Sequence, residues 1–168
     1  VEYALSQLWL ALGIKPEVLL GHSIGEYVAM TVSGILELED ALNLVAKRGL
    51  LMQSLPQNSG GMIAVLSNKD AVMPFLENYK STISIAAINS ERTLTLSGEK
   101  STVQNISIEL KANGIKTIDL PVSHAFHSAM MEPILNEFEL EAQKIKIHQG
   151  KIPVLSNLTG KTLEQKDI

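Results

Sequence analysis

The chain has 168 residues, of which 45% are hydrophobic and 19% charged, with a formal net charge of −4 and no cysteine. That length and composition suit one domain, or one domain with an insert, and argue against disorder. Lys and Arg are interspersed with acids rather than gathered into a stripe, which argues against nucleic acid as a partner, and no apolar run approaches the roughly 20 residues that span a bilayer. Without cysteine there is no disulfide scaffold, thiolate nucleophile or thiolate-held metal, and the chain fits a soluble protein of a reducing cytoplasm.

Val1 to Leu12 reads as an amphipathic helix with Leu5, Leu8, Trp9 and Leu12 on one face. Because the chain opens inside this pattern, it reads as a fragment. Gly13 and Pro16 stop the helix, Val18 to Leu20 follows as a short buried strand, and Gly21 ends that strand. Helices are expected over Glu26 to Val32 and over Leu38 to Leu55, the second with Leu42, Val45, Ala46, Gly49 and Met52 as its apolar stripe. Pro56 to Gly61 reads as a turn.

Beyond it the spacing predicts a strand at Met62 to Leu66, then a helix at Lys69 to Asn78 that Pro74 kinks or shortens. Strands at Ile83 to Ile88 and Thr93 to Ser97 follow, joined by a turn at Asn89 to Arg92. A helix at Lys100 to Asn113 and a strand at Ile115 to Leu120 complete the order strand-helix-strand-strand-helix-strand, a split βαβ unit of ferredoxin-like type. The fold expected is therefore α/β: a body over 1–60 and 122–168, incomplete at both ends, carrying a ferredoxin-like insert over 61–121. The last third holds a polar turn at Val122 to Ser128, a helix from Met131 to about Lys146, a strand at Ile152 to Leu155 and a charged tail.

Chemistry gathers in two places. Gly21 to Glu26, G-H-S-I-G-E, lies between a predicted strand and a predicted helix, the context of a G-x-S-x-G nucleophile elbow. Glycines on either side of Ser23 let the chain reverse sharply and leave its hydroxyl at a helix N-terminus, where the Ile24 N–H can face an oxyanion. A serine N-cap on a glycine-bounded turn gives the same pattern. A serine nucleophile needs a base, and the chain offers His22, His124, His127 and His148. His22 is read as a packing or pocket residue and His148 as a solvated one. His124 and His127 share the turn S-H-A-F-H-S, and no further Asp, Glu or His stands nearby to complete a metal site around them.

Four segments in order, G-H-S-I-G-E at Gly21, R-G-L-L-M-Q at Arg48, S-H-A-F-H-S at Ser123 and P-V-L-S-N-L-T-G at Pro153, carry a resemblance. The chain resembles the acyltransferase domains of modular polyketide synthases and, more distantly, the malonyl-CoA:acyl-carrier-protein transacylases. This resemblance implies an α/β, hydrolase-like body with a parallel sheet and an inserted ferredoxin-like subdomain.

It also implies roles. Ser23 is the acylated residue, His127 the base, Arg48 the partner of the malonyl carboxylate, and the Asn157 backbone carbonyl the acceptor that orients the imidazole. An arginine fork suits a carboxylate because it offers two charge-assisted hydrogen bonds. The H-A-F-H form at His124 to His127 resembles the malonyl-selective variant, with Phe126 filling the space of an α-methyl group. The implied reaction loads malonyl from malonyl-CoA onto the phosphopantetheine thiol of an acyl carrier protein. The domain binds no cofactor of its own, and a ketosynthase flanks it in the same polypeptide. The family's upstream glutamine motif, which completes the oxyanion hole, has no counterpart here. Two other readings stand beside this one: a serine hydrolase, for which Asp119 is the nearest candidate acid before His127, and a non-catalytic docking module.

Overall fold

The computed structural model describes residues 1–164. In chain order the elements are α1 (Glu2–Ala11), α2 (Gly25–Ser33), α3 (Leu38–Ser54), β1 (Gly60–Val65), α4 (Lys69–Leu76), β2 (Ile83–Ser90), β3 (Thr93–Glu99), α5 (Lys100–Ala112), β4 (Thr117–Leu120) and α6 (Glu132–Ala142). They form two compact units, Val1–Gly49 with Phe138–Ile168, and Leu50–Glu137. The charged tail lies outside the described residues from position 165 onward.

The second unit is a four-stranded antiparallel sheet of order β2-β3-β1-β4, the order of a ferredoxin-like fold. Its core joins the two helices to one sheet face: Ile63 and Val65 of β1, Leu94 and Leu96 of β3, and Ile106 and Leu110 of α5 are all fully buried. Asn68 caps α4 by accepting from the Ala71 N–H at 2.8 Å. Two residues after Pro74 the helix ends at Leu76 and tightens into a 3-10 turn, Glu77–Tyr79. The β2–β3 connection is shorter than the predicted Asn89 to Arg92, because β2 runs on to Ser90, whose hydroxyl accepts from the Arg92 N–H at 3.1 Å. β4 starts at Thr117 rather than Ile115, since the Ile115 N–H is spent closing α5 on the Leu110 carbonyl at 2.9 Å.

Ser107 of α5 and Thr117 of β4 meet hydroxyl to hydroxyl at 2.6 Å, both buried. Ser107→Ala leaves the Thr117 hydroxyl without that partner, and a loss of about 1–3 kcal/mol in unfolding free energy, measured by chemical denaturation, is expected. Adding Thr117→Val should recover part of it.

In the first unit the predicted strands shrink to single bridges. Leu19 pairs in parallel with Val154, its N–H donating to the Pro153 carbonyl and its carbonyl accepting from the Leu155 N–H, each at 2.8 Å. Among the described residues this bridge is the parallel pairing of the first unit. Around it lie Ala29 of α2, Ile35, Leu36 and Ala41, all buried with Val154. Ser33, almost fully buried, donates to the Ile152 carbonyl at 2.5 Å and so ties the end of α2 to the same segment.

Three expectations change here. The buried positions of α3 are Ala41, Leu44 and Leu51, whereas Leu42, Ala46 and Gly49 of the predicted stripe are exposed; the core neighbours select a face rotated by one residue. The last helix runs Glu132–Ala142 after a 3-10 turn, Ala129–Met131. Beyond it Lys144 and Ile145 donate to carbonyls only three residues back, which unwinds the α pattern before Lys146. Leu5, Leu8, Trp9 and Leu12 of the α1 segment do share an apolar character, yet each is at least half exposed.

Candidate active site

Ser23 lies just after Leu19 and Gly21, two residues before the first residue of α2. Its φ is +53°, in the left-handed region that a side chain other than glycine enters at a cost. Gly21 makes the turn possible, because a Cβ there would collide with the Gly25 carbonyl. Downstream the backbone closes at once: the N–H groups of Gly25, Glu26 and Tyr27 donate to the carbonyls of His22, Ser23 and Ile24 at 2.9, 3.1 and 3.2 Å. The Ile24 N–H precedes these, and among the described residues no acceptor meets it.

Asn157 is bound to the same elbow from the far end of the chain. Its side-chain amide donates to the Gly21 carbonyl, and its backbone N–H donates to Glu26 Oε1 at 3.0 Å. Its loop is rigid because the Ser156 hydroxyl accepts from the Leu158 and Thr159 N–H groups and the Gly160 N–H donates to the Ser156 carbonyl. Sequence reasoning valued Asn157 only for its carbonyl. It missed both the side-chain amide and Glu26, for which the sole local signal was an acid in the first turn of a helix.

Arg48 is half-buried on α3, and its side chain forms no ion pair or hydrogen bond among the described residues. Its charge is felt at the start of α2: burial pushes the Tyr27 phenol above its usual range, the Arg48 guanidinium opposes that shift, and Glu26 adds to it. A phenol kept neutral leaves Arg48 without a competing anion at that position.

The histidine loop belongs to the second unit. His127 has φ +58°, so that of the three non-glycine residues with positive φ among the described residues, two are the candidate nucleophile and the candidate base. His124 is buried. Ser123 Oγ lies 2.8 Å from its Nδ1 and the Leu55 carbonyl 3.2 Å from its Nε2. A carbonyl only accepts, so Nε2 carries the proton and Nδ1 accepts from Ser123. Phe126 is half-buried, its ring 6.0 Å from that of His124. Gly60 lets this loop approach β1, since a Cβ there would lie 2.5 Å from the Ala125 nitrogen.

The other two histidines lie in the first unit. His22 is exposed and, with Trp9, Leu20 and Val28, lines an apolar cavity of about 640 Å³. His148, expected in solvent, is partly exposed: its backbone N–H donates to the Ile35 carbonyl at 2.9 Å, and its Nε2 lies 3.7 Å from the exposed Glu37 carboxylate. Among the described residues no three His, Asp or Glu side chains gather into a metal cluster, and no helix is long and apolar enough to cross a membrane.

A single parallel bridge, a close-packed glycine, a serine in left-handed backbone and a helix N-terminus follow one another here, the backbone form that a nucleophile elbow takes. The chain belongs to the acyl transferase domain family, whose model matches residues 1–168. It is 43% identical over 160 residues to "Mycoketide-CoA synthase" of Mycobacterium tuberculosis, covering 95% of this chain and 4% of that protein. Among solved structures it is similar to the acyltransferase domain of the second module of the salinomycin polyketide synthase, at TM-score 0.93 and 42% identity over 97% of this chain and 38% of that one. The malonyl CoA-acyl carrier protein transacylase of Clostridium perfringens gives TM-score 0.91 and 33% identity over 98% of this chain and 54% of that one. The chain spans a minor part of the synthases it resembles, and less than two fifths of the salinomycin acyltransferase structure.

Proposed function

We propose that this chain carries the acyl-accepting serine of a malonyl-selective transacylase that loads an acyl carrier protein. The observation that carries this reading is Ser23 itself, held at positive φ at the mouth of α2 with the Ile24 N–H unengaged beside it. His127 removes the Ser23 proton, and the oxygen attacks the thioester carbonyl of malonyl-CoA. The Ile24 N–H stabilises the resulting oxyanion, and the C–S bond breaks as His127 returns the proton to the departing CoA sulfur. The phosphopantetheine thiol of the carrier then attacks the malonyl-serine ester by the same steps in reverse order, freeing Ser23.

Arg48 holds the free malonyl carboxylate through its fork, and its lack of a protein partner supports that role. The Asn157 carbonyl orients His127, and Phe126 with His124 narrows the pocket against an α-methyl group, an effect worth about 10- to 200-fold in selectivity. The ferredoxin-like stretch 61–121 is the insert within a body of 1–60 and 122–168. The parent is a polyketide synthase with a ketosynthase in the same polypeptide.

Incubating the parent protein with equal malonyl-CoA and acetyl-CoA, followed by mass spectrometry, should find a malonyl adduct on the Ser23 peptide that discharges onto a phosphopantetheinylated carrier. An adduct elsewhere, or free malonate released without any carrier, overturns the proposal. Arg48→Ala should lower malonyl loading by at least about 10-fold relative to acetyl loading, through loss of a charged hydrogen-bonded pair. Equal losses for both substrates would remove Arg48 from the carboxylate site.

A further inference from the structure

The Ser23 turn is held on its downstream side by the first turn of α2, but its upstream side has no helix to hold it. What meets it there comes from 136 residues away: the Asn157 amide on the Gly21 carbonyl. The loop that presents this amide is itself fixed to α2, because the Asn157 N–H donates to the Glu26 carboxylate at 3.0 Å. The result is a closed ring of contacts. Gly21 leads into Ser23, Ser23 into Glu26, Glu26 binds Asn157, and Asn157 returns to Gly21.

We propose that the Glu26 carboxylate and the Asn157 side-chain amide are positioning residues, which clamp the two sides of the elbow and hold the Ser23 oxygen at its line of attack. The proposal rests on Ser23 being the acylated residue. Neither group touches the substrate in this scheme; they act by fixing the peptide planes on either side of Ser23. A residue at positive φ relaxes toward the α or β region unless its surroundings over-determine it, and this ring is what over-determines it. Reacting atoms displaced by about an ångström lose on the order of 10²-fold in rate, so a loosened clamp should be visible in turnover.

The clamp needs an acceptor at position 26, not a charge. Glu26→Gln keeps the side-chain oxygen and Glu26→Ala removes it. Asn157→Ala removes the amide yet leaves the backbone carbonyl that faces the imidazole in the proposed mechanism. In the parent protein, single-turnover acylation of Ser23 by malonyl-CoA should fall about 10- to 100-fold in Glu26→Ala and in Asn157→Ala. KM should stay within a few-fold, acetyl loading should fall by the same factor as malonyl loading, and Glu26→Gln should retain most of the rate. The double variant should lose less than the product of the single losses, because both sever one ring.

The outcomes separate cleanly. Rates that fall only with the folded fraction, read by thermal melting, would make the ring merely structural and overturn the proposal. A Glu26→Gln as slow as Glu26→Ala, or a malonyl loss much larger than the acetyl loss, would assign Glu26 to the charge balance around Arg48 instead. Wild-type protein that labels at Ser23 while both alanine variants label at its rate defeats the clamp alone. Wild-type protein that never labels at Ser23 defeats the proposed function and the clamp with it.

Discussion

Ser23→Ala in the parent protein should take no covalent label from malonyl-CoA and should lose carrier loading by at least about 10⁴-fold, as enzymes do when the nucleophile of a covalent mechanism is removed. The backbone makes a second and less obvious part of the same prediction. At φ +53° the wild-type serine sits in the left-handed region, and alanine there keeps the Cβ and therefore the strain. Glycine has no Cβ and enters that region freely. Ser23→Gly should thus be as inactive as Ser23→Ala but more stable than it by about 0.5–1 kcal/mol, measured by chemical denaturation. The chain would be giving up stability at this position for the direction of one hydroxyl. Equal stability of the two variants would mean that the turn is not strained by its side chain, and residual labelling in either would move the nucleophile elsewhere.

The elbow was legible because its signal is local. A glycine, a serine and a second glycine between an apolar triplet and a helical stretch mark a sharp reversal within Gly21 to Glu26, and the backbone N–H groups of Gly25, Glu26 and Tyr27 close over the same few residues. The ferredoxin-like order was legible for a related reason: each of its elements carries its own period, and β1 to β4 differ from the predicted strands only at their ends. What the sequence did not show is what depends on distant partners. Asn157 reads locally as a loop residue, and nothing around it says that its amide meets Gly21. His124 reads as a loop histidine whose hydrogen-bond partner the sequence does not name, and that partner is the carbonyl of Leu55, 69 positions earlier. The apolar stripe of α3 is ambiguous because Leu42, Val45 and Met52 lie about 100° from Ala41, Leu44 and Leu51, and only the neighbours decide which set turns inward.

The two glycines of G-x-S-x-G look equivalent on paper, and the structure separates them. A Cβ on Gly21 would fall within the van der Waals envelope of the Gly25 carbonyl carbon and oxygen, both backbone atoms that cannot swing aside. The only way to relieve it is to push α2 away from the strand end, which carries Ser23 and the Ile24 N–H with it. A Cβ on Gly25 meets nothing closer than Glu2 Oε2 at 3.9 Å, and Gly25 is not among the glycines at positive φ. Gly21→Ala should therefore reduce Ser23 labelling by about 10²-fold or more and destabilise the protein by at least about 3 kcal/mol, in the range of forced backbone clashes. Gly25→Ala should label within a few-fold of wild type and gain up to about 1 kcal/mol, since alanine favours a helix over glycine by that amount. Labelling kinetics and melting curves for the two variants decide the matter: a Gly25→Ala that labels as poorly as Gly21→Ala yet melts like wild type would assign the second glycine to the incoming acyl group, and one that also melts early would assign it to the fold.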